Sequence, residues 1–397
     1  MITPRALDRI VFAVGAAFVV LGFAGCRLGT GSPKAGPVGP ASVTGERDGT
    51  RTPVSEATPG AAHSEATPGA ARSSFAVAGE RRLRNIRQLT FGGQNAEAYF
   101  SADGEKLIFQ STRGDLRCDQ IFTMNIDGTD TRMVSTGKGR TTCSYWFPDA
   151  SRIVYASTHL ADESCPPPAP PPPPYVWRVY ESFDIFTARP DGSDLTRITD
   201  TPGYDAEPTF APDGSRIVFT SARSGDMEIW DMRPDGSDPR QLTKVPGYDG
   251  GPFYSPDGKT ICFRASRPKG AALEKFRDLL SKGMVEPSKL EIYIMSADGT
   301  NVRQITRNGY ANFCPFFHPS GRQLLYVSNK DSTSRRQPNF DIYFMDLETG
   351  KEERITFDEE FDGFPMFSPD GKKLAWASNR NGKVRGETNV FIADWAE

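Results

Sequence analysis

The chain has 397 residues, with 38 Gly, 32 Pro, 26 Phe and only 3 His. Its 47 Lys and Arg stand against 50 acids, a net charge of −3, which leaves no electrostatic footprint for nucleic acid or an anionic membrane surface. Six cysteines without a Cys-x-x-Cys or Cys/His zinc spacing exclude a metal cluster as the organising feature, and three histidines leave little for His-based catalysis.

The chain opens with Arg5 and Arg9 in a short polar start, followed by an uncharged run over 10–25. That run is shorter than the roughly 20 residues of a membrane span and typical of a signal-peptide core. It ends Leu21-Gly22-Phe23-Ala24-Gly25-Cys26, small residues before a cysteine that resemble the lipobox of bacterial lipoproteins, with Phe23 where Leu is commoner. The resemblance implies removal of residues 1–25 and acylation of Cys26, and so a lipid-anchored protein of the bacterial cell envelope, on the periplasmic or surface side of the outer membrane. The alternatives are an ordinary signal peptide and an uncleaved anchor.

Residues 26–74 are dominated by Gly, Pro, Ala, Ser and Thr, and Ser55-Glu-Ala-Thr-Pro-Gly-Ala-Ala62 recurs as Ser64-Glu-Ala-Thr-Pro-Gly-Ala-Ala71. Such a composition buries too little apolar surface to offset its ordering entropy and predicts a flexible tether.

From residue 75 onward one unit repeats six times. The turns are Ser101-Ala-Asp-Gly104, Phe147-Pro-Asp-Ala150, Ala211-Pro-Asp-Gly214, Ser255-Pro-Asp-Gly258, His318-Pro-Ser-Gly321 and Ser368-Pro-Asp-Gly371, spaced by 46, 64, 44, 63 and 50 residues. Pro presets φ at the first corner, Asp caps the backbone, and Gly takes the left-handed position. Each turn is followed by an apolar run such as Arg216-Ile-Val-Phe-Thr220, then an Ile-aromatic strand such as Glu228-Ile-Trp230. An Asp-Gly turn and a short strand ending in Leu/Ile/Ser-Thr close the unit. Four strands per unit predict an all-β fold, a six-bladed propeller over 75–397. The final unit ends at its third strand, and Asn85-Ile-Arg-Gln-Leu-Thr90 matches the missing fourth. The N-terminal strand is therefore expected to complete the last blade and close the ring.

These motifs over about residues 86–395 resemble the WD40-like (PD40) blades of the TolB propeller, and the chain is most similar to the TolB-like lipoproteins of bacteria. TolB carries an α/β domain before its propeller, whereas here a tether takes that place. The resemblance implies a binding scaffold of the envelope.

The two long spacings come from insertions at 159–179 and 267–289, both between the second and third strands of their blades. Those loops belong to the face opposite the Ser-Pro-Asp-Gly turns, where the crossovers into each inner strand also lie. The first insertion, Cys165-Pro-Pro-Pro-Ala-Pro-Pro-Pro-Pro-Pro174, reads as a stiff lid or a ligand for an aromatic groove. The second, 271–281, puts Leu273, Phe276 and Leu280 on one helical face, expected to pack on the propeller rather than on a partner.

Counting back from each turn gives equivalent slots at the start of the six inner strands. The first holds Asn95, Thr141, Asp205, Asp249, Asn312 and Asp362; the second holds Glu97, Cys143, Glu207, Gly251, Cys314 and Phe364. The expected site is a channel mouth ringed by Asn95, Glu97, Asp205, Glu207, Asp249, Asn312 and Asp362, suited to a cation at Asp205 and Asp249, an amine or a basic peptide group. The competing reading is that each Asp caps local backbone. Cys118, Cys143 and Cys165 share this face, and one disulfide is expected among them, with the pair left open. Cys143 and Cys314 sit in opposite blades, expected to be too far apart to bond, and Cys262 reads as core.

No Gly-x-Ser-x-Gly, His-Glu-x-x-His or P-loop is present. The expectation is a monomer without cofactor or catalytic residues, binding an envelope protein or peptide at the channel mouth, touching membrane only through its lipid and not binding nucleic acid. The alternative is a carboxylate-based lyase or glycosidase drawing acid and base from Asp205, Glu207 and Asp249.

Overall fold

A computed structural model describes residues 75–171, 175–333 and 338–397. The expected signal peptide, Cys26 and the expected tether lie outside the described residues. Among those described, six four-stranded antiparallel sheets form the blades of the expected propeller. Blade one starts with the inner strand Gln94–Phe100, blade two with Thr141–Trp146, and blade three with Asp205–Phe210. Blades four to six start with Asp249–Tyr254, Asn312–Phe317 and Asp362–Phe367.

The repeated motifs each perform one task. In the Ser255 turn, the Asp257 carboxylate accepts the Ser255 hydroxyl at 2.6 Å and the Lys259 N–H at 3.1 Å. Gly258 closes that turn at φ +70°, while blade two places Ala150 in the same left-handed position at +56°. The Thr at the end of each outer strand is a cross-strand acceptor. Thr199, Thr243, Thr306 and Thr356 Oγ1 take the N–H of Ile185, Ile229, Ile292 and Ile342 at 2.8–2.9 Å. In blade one this role falls to Ser135 rather than to Thr136, with Ile121 as donor at 2.9 Å.

Blade six is completed by the N-terminal strand Leu83–Gln88, paired antiparallel with Asn389–Trp395. Thr90 Oγ1 accepts the Val390 N–H at 2.8 Å, the same bond that the other outer strands make. Residues 75–82 reach this strand by descending from the crossover face between blades five and six. At the top of the descent Arg380 binds Glu80 at 2.8 Å, Asp362 at 2.9 Å and the Phe75 carbonyl at 3.2 Å. Lower down, Arg82 meets Glu353 at 2.9 Å and stacks near Trp395.

Both insertions sit between second and third strands, as expected. The helix Ala271–Leu280 buries Phe276, with Leu273 and Leu280 packed against the same core. The two insertions also pair with one another. Trp177–Arg178 of blade two and Met284–Val285 of blade four form a two-stranded ribbon, spanning blade three from one neighbour to the other. A disulfide between Cys118 and Cys165, with Cα atoms 5.9 Å apart, ties the first insertion to blade one. Cys143, Cys262 and Cys314 are free, and Cys262 is fully buried as expected.

Arg380, Glu80 and Asp362 are almost wholly buried, so deleting the cation strands two carboxylates away from water. Arg380→Ala is expected to lower unfolding stability by about 3–5 kcal/mol, read from urea titration of the folded chain.

Candidate functional site

The expected ring of polar residues divides into two sets with different fates. Asn95, Asp205, Asp249, Asn312 and Asp362 are wholly buried, with their polar atoms bonded within their own blade or to the preceding one. Asp205 accepts Ser221 Oγ at 2.6 Å and Arg223 at 2.7 Å. Asn95 does the same with Ser111 at 2.8 Å and Arg113 at 2.6 Å. Asp362 takes Arg380 at 2.9 Å and the Trp376 indole N–H at 3.0 Å, and Asp249 pairs with Arg267. Asn312 instead donates to the Leu290 carbonyl at 2.9 Å and to Glu291 at 3.1 Å. Burial pushes the carboxyls of Asp205 and Asp362 up, against the pull of their arginines. Asp249 likewise rises to about 6 through burial, opposed by Arg267.

Asn95, Asp205, Asp249 and Asp362 thus tie their inner strands to the end of the second strand, and Asn312 ties blade five to blade four, whereas the sequence reading had set them around an open mouth. The signal was present in the sequence. Partners fall 16 and 18 residues beyond Asn95, Asp205 and Asp362, in Ser111-Thr-Arg113, Ser221-Ala-Arg223 and Ser378-Asn-Arg380, and Arg267 lies 18 beyond Asp249.

The second slots do converge on the axis, for a conformational reason. Every inner strand carries a β-bulge just at this point, as between Ala96 and Tyr99 or Ala206 and Thr209. All six second-slot residues have positive φ: Glu97 54°, Cys143 51°, Glu207 60°, Gly251 60°, Cys314 52° and Phe364 52°. Five of the six bear a Cβ that disfavours this region, at a cost on the order of 1 kcal/mol each. The bulge re-aims these side chains into the channel.

There they line a cavity of about 70 Å³ together with Tyr99, Ser144, Trp177, Arg264 and Phe313. That holds several waters at ~10–15 Å³ each, and is too small for a sugar chain. Two residues further along, four of the inner strands supply a floor. Tyr99, Tyr145, Phe253 and Phe316, from blades one, two, four and five, meet across the channel with ring centroids 5.3–6.0 Å apart. Trp177 of the ribbon forms the roof, edge-on to Tyr248 and Phe313 at 6.2 Å.

The charges inside are unequal. Glu207 accepts the Thr220 hydroxyl at 2.6 Å, the Gly251 N–H at 2.7 Å and the guanidinium of Arg264. Arg264 also donates to the Tyr248 hydroxyl at 2.7 Å and lies 5.4 Å from the Trp177 ring. Glu97 has no such counter-ion. Burial pushes its carboxyl up to about 7, with the Cys143 thiol pulling the other way and Glu207 adding to the rise. Its Oε2 and the Ser144 hydroxyl are buried without a hydrogen-bond partner among the described residues. Burial likewise pushes the thiols of Cys143 and Cys314 up, the latter to about 12. They share the cavity as free thiols, unbonded to each other as expected.

The sequence reading missed Arg264, Trp177 and Ser144, which lie outside the compared slots. Of the acid and base proposed for a lyase or glycosidase, Asp205, Glu207 and Asp249 are each held by an arginine.

Comparison with known proteins agrees with the fold. The family described as the TolB beta propeller domain, PD40, matches residues 178–284. A stretch of 39 residues is 56% identical to the Tol-Pal system protein TolB of Bordetella pertussis, covering 10% of this chain and 9% of that protein. A stretch of 47 residues is 40% identical to the protein TolB homolog of Chlorobium luteolum, covering 12% of this chain and 11% of the relative. These matches thus span about a tenth of the curated relatives. TolB from Acinetobacter baumannii superposes with a TM-score of 0.50 at 21% identity, over 77% of this chain and 64% of that one. Putative TolB from Agrobacterium tumefaciens gives 0.51 at 19% identity, over 79% and 97%. The chain is a β-propeller with a fold like that of TolB, and its residues 178–284 match the PD40 family.

A carboxyl group whose folded pKa is raised holds an extra proton in the native state, so its contribution is present at acid pH and lost as pH rises. For Glu97 the window runs from 4.5 to about 7. Relative to Glu97→Gln, the wild type is expected to lose about 3 kcal/mol of stability between pH 4.5 and pH 7, at ~1.4 kcal/mol per unit. Parallel urea curves at each pH measure it; equal slopes for the two proteins would contradict the assignment.

Proposed function

We propose that this chain is a membrane-anchored binding scaffold of the bacterial envelope that recognises a protein or peptide on its channel-mouth face. The observation that carries this reading is the distribution of exposed apolar side chains. Among the described residues, seven large hydrophobics are exposed, and five of them lie in loops on that face: Phe91, Leu160, Val245, Tyr310 and Val384. They belong to crossovers and second-to-third-strand loops of different blades, so they are set around one face of the ring. Exposed apolar groups gathered on one face mark an interaction surface, whereas scattered ones carry no such meaning.

The anchor is the Cys26 acyl group, supported by the lipobox-like sequence before it. Phe75, the first described residue, packs against Phe391 at the mouth-face end of the groove between blades five and six. Residue 75 thus lies on the same side as the binding face. The envelope location follows from the signal sequence and from similarity to a protein named for the Tol-Pal system.

Capture from envelope extract tests the reading. Wild type is compared with Phe91→Ser/Tyr310→Ser, with a chain lacking residues 268–289, and with the opposite-face variant Val302→Ser. A protein retained by wild type and Val302→Ser, and lost at least tenfold in the first two, is the expected result. Equal capture by all four overturns the assignment of this face. Cys26→Ala is expected to move the chain from the membrane to the soluble fraction.

A further inference from the structure

We propose that the roofed cavity is a receptor for a single primary ammonium group, a lysine side chain or a chain's α-amine, with Glu97 as its counter-ion. The inference rests on the binding reading above and specifies which group of the partner enters the channel.

The first argument is one of unused capacity. Glu97 is only 5% exposed, and its Oε2 lines the cavity without a partner. A buried carboxyl oxygen left unpaired is costly, because nothing replaces the water it has lost. Ser144 Oγ is a second acceptor in the same state, on the same cavity wall. The neighbouring Glu207 is saturated by Thr220, Gly251 and Arg264. Arg264 bonds Glu207 and Tyr248 and acts on Glu97 only through space, so among the described residues no cation is paired with Glu97.

The second argument is shape. A guanidinium seeks two coplanar acceptors and occupies a flat slot, whereas an ammonium is compact and donates three bonds in a tripod. A cavity of about 70 Å³ with one free carboxylate oxygen and one hydroxyl supplies two of the tripod's three acceptors. Five aromatic residues, Tyr99, Trp177, Phe313, Phe361 and Phe364, share its walls with the Glu207–Arg264 pair and two thiols, and aromatic rings favour a positive charge. The aromatic floor leaves the mouth as the way in, past Trp177.

A proton linkage follows from the same geometry. The groups around Glu97 are Tyr99 on its own strand, Cys143 of blade two, Glu207 of blade three, Arg264 of blade four, Cys314 of blade five and Asp119 of the blade-one loop. Glu97 is neutral in the empty site below about 7 and must ionise to hold an ammonium. Affinity is therefore expected to fall by up to tenfold per unit as pH drops below 7.

The experiment is calorimetric titration of the folded chain with three probes: methylammonium, N-acetyl-lysine methylamide and N-acetyl-arginine methylamide, at pH 8.5 and pH 5.5. The first two are expected to bind at pH 8.5, the arginine probe at least tenfold more weakly, and all to weaken at pH 5.5. Glu97→Gln should weaken the lysine probe at least thirtyfold, and Glu97→Asp, which keeps the charge but draws it back, by less. Thermal melting of each variant confirms that it is folded. No binding of either amine to wild type, equal binding of the arginine probe, or undiminished binding by folded Glu97→Gln overturns the proposal. Partner capture through Phe91 and Tyr310 is read separately, so loss of the ammonium site leaves the binding-face reading standing, and the converse also holds.

Discussion

A ring of blades must end where it began, and this chain meets that constraint with one strand pair. Leu83–Gln88 supplies the outer strand that blade six lacks, and Thr90 makes the same cross-strand bond to Val390 that Thr243 makes to Ile229. Without that pairing the sheet of blade six has an open edge and the six inner strands have no common axis. The channel, its roof and its floor all exist because the inner strands converge.

Convergence alone does not aim side chains inward. A regular strand would turn alternate residues toward the two neighbouring blades. The bulge repeated in all six inner strands sets one residue per blade at positive φ and turns it to the axis. The same local break separates the two kinds of carboxylate. Asp205, two residues before its bulge position, stays in the blade and is neutralised by Arg223, whereas Glu97 and Glu207 face the channel. One conformational device thus divides structural charge from charge available to a ligand.

The fold was legible because its signals are local and repeated. The Ser-Pro-Asp-Gly turns, the Ile-aromatic strands and the terminal Thr each sit at nearly constant offsets, and the N-terminal match to Arg240-Gln-Leu-Thr243 disclosed the closing strand. The site was legible only in part. The slots were found, but nothing in their residue types announces a bulge, since Glu, Cys and Phe are poor formers of left-handed backbone. Hence Asp205 and Asp249 read as mouth residues although they are buried. Arg264 comes from a second strand, and Trp177 reaches the roof only because two insertions from different blades pair with each other. That pairing depends on three-dimensional proximity across blade three. The disulfide was narrowed to three cysteines for a similar reason, since the face was readable and the distance was not.

The path of residues 75–82 has a mechanical meaning. The segment enters at the mouth face, runs down the groove between blades five and six, and only then turns up into the strand that closes the ring. A load applied at residue 75 therefore meets the Arg380 cluster first, and the closing strand feels tension only after that cluster has opened. The buried ion triad acts as a strain relief, keeping tugs on the leading end of the chain from being transmitted to the seam of the ring.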